Sequence, residues 1–454
     1  MSRCLLILLS LVLLALSATS TVYEPLPSLR EQQKIASEWV NLRTNVVIPK
    51  LLEEHKVEMW ILSMREYNED PVFWGLTNPT STFSARRRTL YVFYRSLKTG
   101  EFKKYEFIDN TEQVWTDLTA ILYETNPASI VLNIDEKGNN FADGLHAGEA
   151  EALLKKLPWT YWMRVQRQPL LATQFIATRV EGQLEIYKKM MRIVHQVIRE
   201  GFSTRVITPG KTTPNDVIWF FRDRIQSLNM TTWFQPSVDI QRYNPSTNLV
   251  ETHSGNTPFE YGDFIWTDFG TTFLGLNTDT QHNGYILHPT ETSAPIGLQR
   301  GLTHHSNQIQ DILLREIKPR LTGNQILATT LAQMRALNIS GTVYCHPIGD
   351  YGHAAGTLIG MTNLQDGVPV KGDIPVFENM WFSIELQANV EVPEWGGQVV
   401  NFRQEEDVYL GGDGGVWWVV GRQSELILVG ESSGLGKSGE SKIKKGKVSL
   451  VKQG

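Results

Sequence analysis

Hydrophobic positions along this chain recur with two periods, and the changes of period outline its parts. Between residues 25 and 175, helical and extended patterns alternate. Glu31 to His55 reads as a helix, while Val57–Ser63, Thr89–Tyr94 and Ala128–Ile134 carry the β-branched and aromatic side chains of strands. From residue 181 the pattern becomes one of paired helices followed by strands. Leu184, Tyr187, Met191, Val194 and Ile198 fall at three- and four-residue spacing, which predicts an amphipathic helix. Thr213-Pro214 opens a second helix carrying Ile218, Phe221 and Ile225, because threonine caps well and proline suits a first turn. The unit then recurs. Leu302, His305, Ile309 and Leu313 mark one helix, Thr322 opens another with Leu327, Leu331 and Met334, and strands follow. Two helix–helix–strand halves predict an internal duplication with a site between them.

Five side chains in these strand-like segments carry the chemistry. Asp268, Asp279, His346, Glu385 and Glu405 lie in WTDFG, NTDTQH, YCHPIG, FSIEL and FRQEEDV. A carboxylate buried alone loses several kcal/mol of solvation, so a group of them on apolar strands needs a cation to hold it together. Four carboxylates and one histidine would hold two divalent ions side by side, bridged by water. The run from Asp263 to Asp279 predicts two strands joined through a bend at Gly275, with Asp268 and Asp279 on neighbouring strands facing one pocket. His346 and His353 share a glycine-rich stretch that allows close approach of a ligand. Cys345 beside His346 is expected to be a small buried hydrophobe rather than a nucleophile.

Composition narrows the context. With 454 residues, 41% hydrophobic and 20% charged, the chain exceeds one ordinary core and predicts two domains. A net charge of -5 and the lack of a basic stripe argue against a nucleic-acid partner. Arg86–Arg88 is expected to be a solvated turn or edge. Met1-Ser2-Arg3 followed by the apolar run Leu5–Ala18 is too short to span a bilayer and predicts a cleaved signal peptide over residues 1–20. The expected location is therefore secreted, periplasmic or lumenal, with no membrane contact after cleavage. Removal of Cys4 would leave Cys345 alone, so no intrachain disulfide is expected. Asn229 and Asn338 fit the glycosylation sequon. Residues 431–454, rich in Gly, Ser and Lys, predict a disordered tail. The half before residue 179 shows no cluster of catalytic residue types and reads as a lid or assembly domain.

The order of these motifs resembles a known family. Asp268, Asp279 eleven positions on, then His346-x-Ile-Gly-x-x-x-His353, Ser-Ile-Glu385 and Arg403-x-Glu405-Glu-Asp-Val is similar to the pita-bread metallopeptidases: methionine aminopeptidase, aminopeptidase P and prolidase. The resemblance implies an α+β protein. Residues 21–178 would form a creatinase/prolidase-like α/β N-terminal domain, and residues 179–430 a pita-bread catalytic domain. It also implies roles. Asp268 would chelate one ion, Asp279 and Glu405 would bridge both, and His346 and Glu385 would complete the shells. Glu385 would accept the proton of the bridging water, while His353 and, as a looser match, His253 would face the substrate. Two divalent ions are implied, manganese first, with cobalt, zinc or iron also suited.

The implied activity is cleavage of an N-terminal peptide bond, with a lean towards Xaa-Pro from the two-domain layout. The partner is then a peptide, and a homodimer is an open expectation. The alternative is a metal-free creatinase-like hydrolase or a silent binding protein on the same fold. Glu406 rivals Glu405, and the Arg403-x-Glu405 spacing favours Glu405. Arg403 itself is expected to pair with the acidic run rather than with a substrate carboxylate. The chain departs from its relatives at Thr280-Gln281-His282, where an arginine is common, at Pro347 and at Leu386-Gln-Ala. These departures bear on how outer residues orient the carboxylates.

Overall fold

In a computed structural model that describes residues 23–430, the chain forms two β-sheets, each flanked by helices. The expected signal segment and C-terminal tail lie outside the described residues. Helix α1 (Leu29–Leu42) starts at a capping box in which Ser28 and Glu31 satisfy each other's backbone. It continues through a π-helical segment, Arg43–Val47, into Ile48–Glu54, so the helix expected over 31–55 is present with a bulge in its middle. Such bulges cluster at functional positions. This one buries Arg43, leaving it 3% exposed.

The first sheet has strands β1 (Met59–Arg65), β2 (Arg88–Arg95), β3 (Phe102–Ile108), β4 (Ile130–Leu132) and β5 (Val165–Gln166), in the order β3-β2-β1-β4-β5. It is mixed: β2 runs antiparallel and β4 parallel to β1. Hydrophobic clusters lie on both of its faces, as expected of an α/β layer. Arg88 departs from the expectation of a solvated run. It is buried, with its guanidinium on Glu149 and over the Trp115 ring, because its place at the start of β2 turns it towards a carboxylate that the sequence holds far away.

The second half repeats helix–helix–strand as expected. Helices α2 (Gln183–Gly201) and α3 (Pro214–Ser227) precede β6 (Ser237–Asn244), β7 (Leu249–His253) and β8 (Phe264–Asp268). Helices α4 (Asn307–Glu316) and α5 (Gly323–Ala336) precede β12 (Ser340–Val343), β13 (His346–Pro347), β14 (Trp381–Val392) and β15 (Gln398–Leu410). Both α3 and α5 open on a capping box, Thr213 with Asp216 and Thr322 with Gln325.

Between the halves lie the short hairpin β9 (Thr272–Phe273) and β10 (Leu276–Asn277), then β11 (Gln281–Ile286). Leu274 and Gly275 turn the hairpin with φ of 52° and 78°. Two positive φ values are what a tight two-residue turn needs, and glycine supplies one without strain. The bend at Gly275 is thus confirmed, but Asp279 stands in the connector entering β11 rather than on a strand.

The large sheet follows the order β12-β14-β15-β11-β8-β6-β7, with β13 on β14, and later strands β16 (Val416–Trp418) on β15 and β17 (Ile427–Val429) on β11. Its two apolar clusters hold the helices of the two halves against it. Among the described residues no helix is long and apolar enough to cross a membrane.

Candidate metal centre

One rung of the large sheet carries most of the site. Asp268 on β8 pairs with Gln281 on β11, Gln281 with Glu405 on β15, and Glu405 with Glu385 on β14. Directly opposed residues point to the same face of a sheet, so these four side chains gather on one side. His346 pairs with Ser383, two residues before Glu385, which brings it to that side as well. Asp279 enters from the connector two residues before Gln281. The five residues singled out in the sequence therefore meet, from both halves of the repeat.

Their distances are those of a cluster. His346 Nε2 lies 3.4 Å from Glu405 Oε1 and 3.6 Å from Asp279 Oδ2. The carboxyls of Asp268 and Asp279 lie close enough to influence one another electrostatically. His346 Nδ1 is 2.9 Å from the Pro347 carbonyl, so Nδ1 carries a hydrogen and Nε2 is the nitrogen that faces the carboxylates, able to bind a cation in place of its own proton. That is the tautomer a metal-binding imidazole uses. Burial, then the charge of Glu405, pushes the Asp268, Asp279 and Glu385 carboxyls well above their ordinary range. Burial alone would lower His346, but Glu405 and Glu385 beside it hold it up at about 9. A cluster that draws in protons in this way equally draws in cations.

The donor set fits divalent ions. Asp268 Oδ1, Asp279 Oδ1 and His346 Nε2 are buried without a hydrogen-bond partner among the described residues. Buried polar atoms are almost always satisfied, so three unpartnered ones facing each other call for a ligand. Carboxylate and imidazole donors suit manganese, iron, cobalt or zinc.

Glu406 settles its rivalry with Glu405 by strand alternation. It points to the opposite face, where its carboxylate lies 2.6 Å from His282 Nε2, 2.9 Å from His195 Nε2 and 3.0 Å from the Gln423 amide. Burial would raise its pKa, but the two imidazoles hold it down at about 2. This second group of potential ligands is already closed by short hydrogen bonds, whereas the first leaves its donors open. The contrast makes the first the stronger candidate for a metal.

His353 lies at the cluster. Its ring packs edge-on to His346 at 4.6 Å and to Trp233 at 5.1 Å, while part of it remains exposed. Burial of the packed side, then the neighbouring His346, lowers its pKa to about 4, so the imidazole is neutral near pH 7. Trp233 reaches this place because Gly352 has no Cβ; one there would lie 2.2 Å from the indole. His253 is not brought to the cluster. It sits on the edge strand β7 opposite Ile240, which pairs Ile265, three residues before Asp268, and its nearest charged atom is Glu251 Oε2 at 3.5 Å.

Other residues resolve as follows. Cys345 is buried, with Sγ 3.3 Å from the Glu385 carbonyl, and burial pushes its thiol pKa up, which makes it a packing residue. Arg403 pairs with Asp239 at 3.1 Å and stacks over Trp266 at 4.3 Å, not with the acidic run, whose members are taken up elsewhere. Ser383 Oγ donates to Glu405 Oε1 at 2.5 Å, and Asp407 accepts the Asp279 amide at 3.0 Å.

Asp350, three residues before His353, is held by Arg43 of the π-helical segment and by Arg179, the latter at 2.6 Å. Burial would raise the Asp350 carboxyl, but the two guanidiniums keep it below the ordinary range. Tyr351 Oη donates to the Pro71 carbonyl at 2.8 Å, tying the same loop to the N-terminal domain. None of these partners has a sequence signature, because each is a lone residue joined to the site only by the fold.

Metallopeptidase family M24 has a sequence profile that matches residues 185–412, a stretch containing all five clustered residues. The X-Pro aminopeptidase of Thermotoga maritima MSB8 superposes with a TM-score of 0.55 at 16% identity, covering 84% of this chain and 100% of its own. A dipeptidase of Pyrococcus horikoshii OT3 gives 0.53 at 15% identity over 87% of this chain and 99% of its own. The Xaa-Pro dipeptidase of Bacillus anthracis gives 0.50 at 16% identity over 87% and 99%. At these identities the likeness is one of fold, and it spans both domains. No curated protein sequence matches the chain significantly.

Proposed function

The chain belongs to metallopeptidase family M24, and on that footing we propose that it is an exported two-metal aminopeptidase acting on peptides with proline in second position. The observation that carries this reading is the rung of carboxylates with unpartnered donors, Asp268 Oδ1, Asp279 Oδ1 and His346 Nε2. Asp268, Asp279, His346, Glu385 and Glu405 would hold two divalent ions, manganese foremost. Bound there, such ions supply Lewis acidity, polarising a carbonyl and lowering the pKa of water.

The chain's own residues do the rest. Gln281 engages Glu385 Oε1 at 2.6 Å and leaves Oε2 without a protein partner. Oε2, left free by the amide, is the atom placed to take the proton from the attacking water and pass it to the leaving amine. His353, neutral and partly exposed, can donate its ring N–H to the oxygen that gains charge as the carbonyl carbon becomes tetrahedral. The loop carrying it is pinned against the N-terminal domain, which closes one side of the site. The lean to proline is supported by the fold shared with an X-Pro aminopeptidase and an Xaa-Pro dipeptidase. Export is supported by the charged, then apolar, N-terminal run from Met1 to Ala18.

The test combines metal and substrate. Protein stripped with a chelator and reloaded with manganese is assayed on Xaa-Pro dipeptides, Xaa-Pro-Yaa tripeptides and N-acetylated controls. Activity should vanish on stripping and return on reloading, with the acetylated peptides intact. Asp279→Ala should lower kcat on the order of a thousandfold, since the ions supply several kcal/mol of transition-state stabilisation. Cleavage of acetylated peptides would overturn the aminopeptidase assignment, and activity indifferent to chelation and to Asp279→Ala would overturn the metal mechanism.

A further inference from the structure

Gln281 is the one uncharged side chain on the rung Asp268–Gln281–Glu405–Glu385, and it stands in the middle of it. It is 2% exposed. Its Nε2 lies 2.6 Å from Glu385 Oε1 and 2.8 Å from Glu405 Oε2, and its Oε1 is 3.1 Å from Trp266 Nε1. The orientation of the amide follows from chemistry. An indole N–H can only donate, so the amide oxygen must face Trp266 and the two amide hydrogens the two glutamates. Every donor and acceptor of the side chain is thereby used.

We propose that Gln281 is a positioning residue of the metal centre, clamping Glu385 and Glu405 with one amide so that both carboxylates are in place before any cation arrives. The proposal rests on the metallopeptidase reading of the cluster and deepens it. Like charges opposed across strands repel, and here the repulsion is strengthened by burial. A neutral double donor relieves it without adding a positive charge, which would close the site with an ion pair and compete with metal. The clamp also restricts ligand geometry. Glu385 keeps Oε2 wholly free for a cation or a proton. Glu405, which also accepts from Ser383 at 2.5 Å, has each oxygen already committed to one hydrogen bond. A carboxylate offers about four lone-pair positions, so Glu405 retains one on each oxygen. Trp266 holds the clamp from behind, and Arg403 stacked on that indole at 4.3 Å keeps it in place. This gives a physical role to the departure of the chain from its relatives at Thr280-Gln281-His282.

The experiment titrates chelator-stripped protein with manganese by calorimetry, for wild type, Gln281→Leu and Gln281→Asn, alongside the melting temperature of each stripped protein and kcat and KM on one Xaa-Pro peptide. Leucine keeps the bulk and loses both donors; asparagine keeps an amide but is a methylene too short to span the two carboxylates. Both variants should bind manganese about 10- to 100-fold more weakly, the usual cost of losing an outer hydrogen-bond partner of a ligand. With manganese saturating, kcat should fall while KM changes little. Should the leucine variant not fold, the asparagine variant makes the same comparison. Manganese affinity equal to wild type in a folded variant would overturn the proposal. Wild type that binds no manganese, cobalt or zinc would overturn the metallopeptidase reading, and this proposal with it.

Discussion

At the scale of single residues, the same group behaves in opposite ways according to what surrounds it. Glu406 is buried among donors and stays ionised, while Asp268, Asp279 and Glu385 are buried among other carboxylates and bind protons tightly. Asp70 offers a simpler case away from the site. It is 1% exposed, accepts from the Val72 amide at 2.9 Å and from Asn133 Nδ2 at 2.9 Å, and has no cation beside it, so burial pushes its carboxyl up to about 6. Its proton is therefore held more tightly in the folded than in the unfolded chain. The stability this contributes is complete below the ordinary carboxyl pKa of about 4 and is lost as pH rises through 6, amounting to on the order of 3 kcal/mol. Urea unfolding of the metal-free protein at pH 4.5, 6 and 7.5 should show that decline on top of the one due to Asp268, Asp279 and Glu385, and Asp70→Asn, which cannot ionise, should make the slope between pH 4.5 and 6 shallower. An equal slope in both proteins would refute the assignment.

At the scale of elements, the π-helical segment Arg43–Val47 does what a regular helix could not. The inserted residue turns Arg43 inward to Asp350, whose other oxygen partner is Arg179, and this three-charge bridge anchors the loop carrying His353. Removing one member of a buried ionic group leaves the others uncompensated and costs about 3–5 kcal/mol. Arg43→Met should therefore lower the unfolding free energy measured in urea by that amount and reduce kcat/KM through His353, with manganese affinity changing less because the proposed ligand His346 is also held by its pairing with Ser383. A variant with normal kcat/KM would separate the bridge from catalysis. The sequence showed a helix here but no bulge, since a single inserted residue leaves the apolar periodicity almost untouched.

At the scale of the whole molecule, the metal centre joins the two repeated halves. Asp268 and Asp279 come from the first, His346, Glu385 and Glu405 from the second, so bound cations would cross-link strands whose like charges otherwise repel. Manganese at about a hundred times its dissociation constant should stabilise the fold by about 2.7 kcal/mol per site. The melting temperature should rise on reloading and fall on chelation, and Asp279→Ala should remove most of the difference. A melting temperature indifferent to metal in the wild type would mean that the cluster does not take up cations in the folded state.

What the sequence determined by itself was local or compositional. The periods of apolar residues set the helices and strands, threonine and proline set where helices start, and the cost of burying carboxylates marked Asp268, Asp279, Glu385 and Glu405 as candidate ligands. Those are properties of a residue and its neighbours in the chain. The register of the large sheet decided the rest. It put Asp268, Gln281, Glu405 and Glu385 on one rung, sent Glu406 to the opposite face and left His253 on an edge strand. It also paired Arg403 with Asp239 and placed Gln281, noted in the sequence only as a departure from relatives, between Asp268 and Glu405. Register depends on hydrogen bonds between strands distant in sequence, and a shift of one residue would reverse every side chain on a strand. No local pattern carries that information, because only the packed sheet decides which residues stand opposite one another.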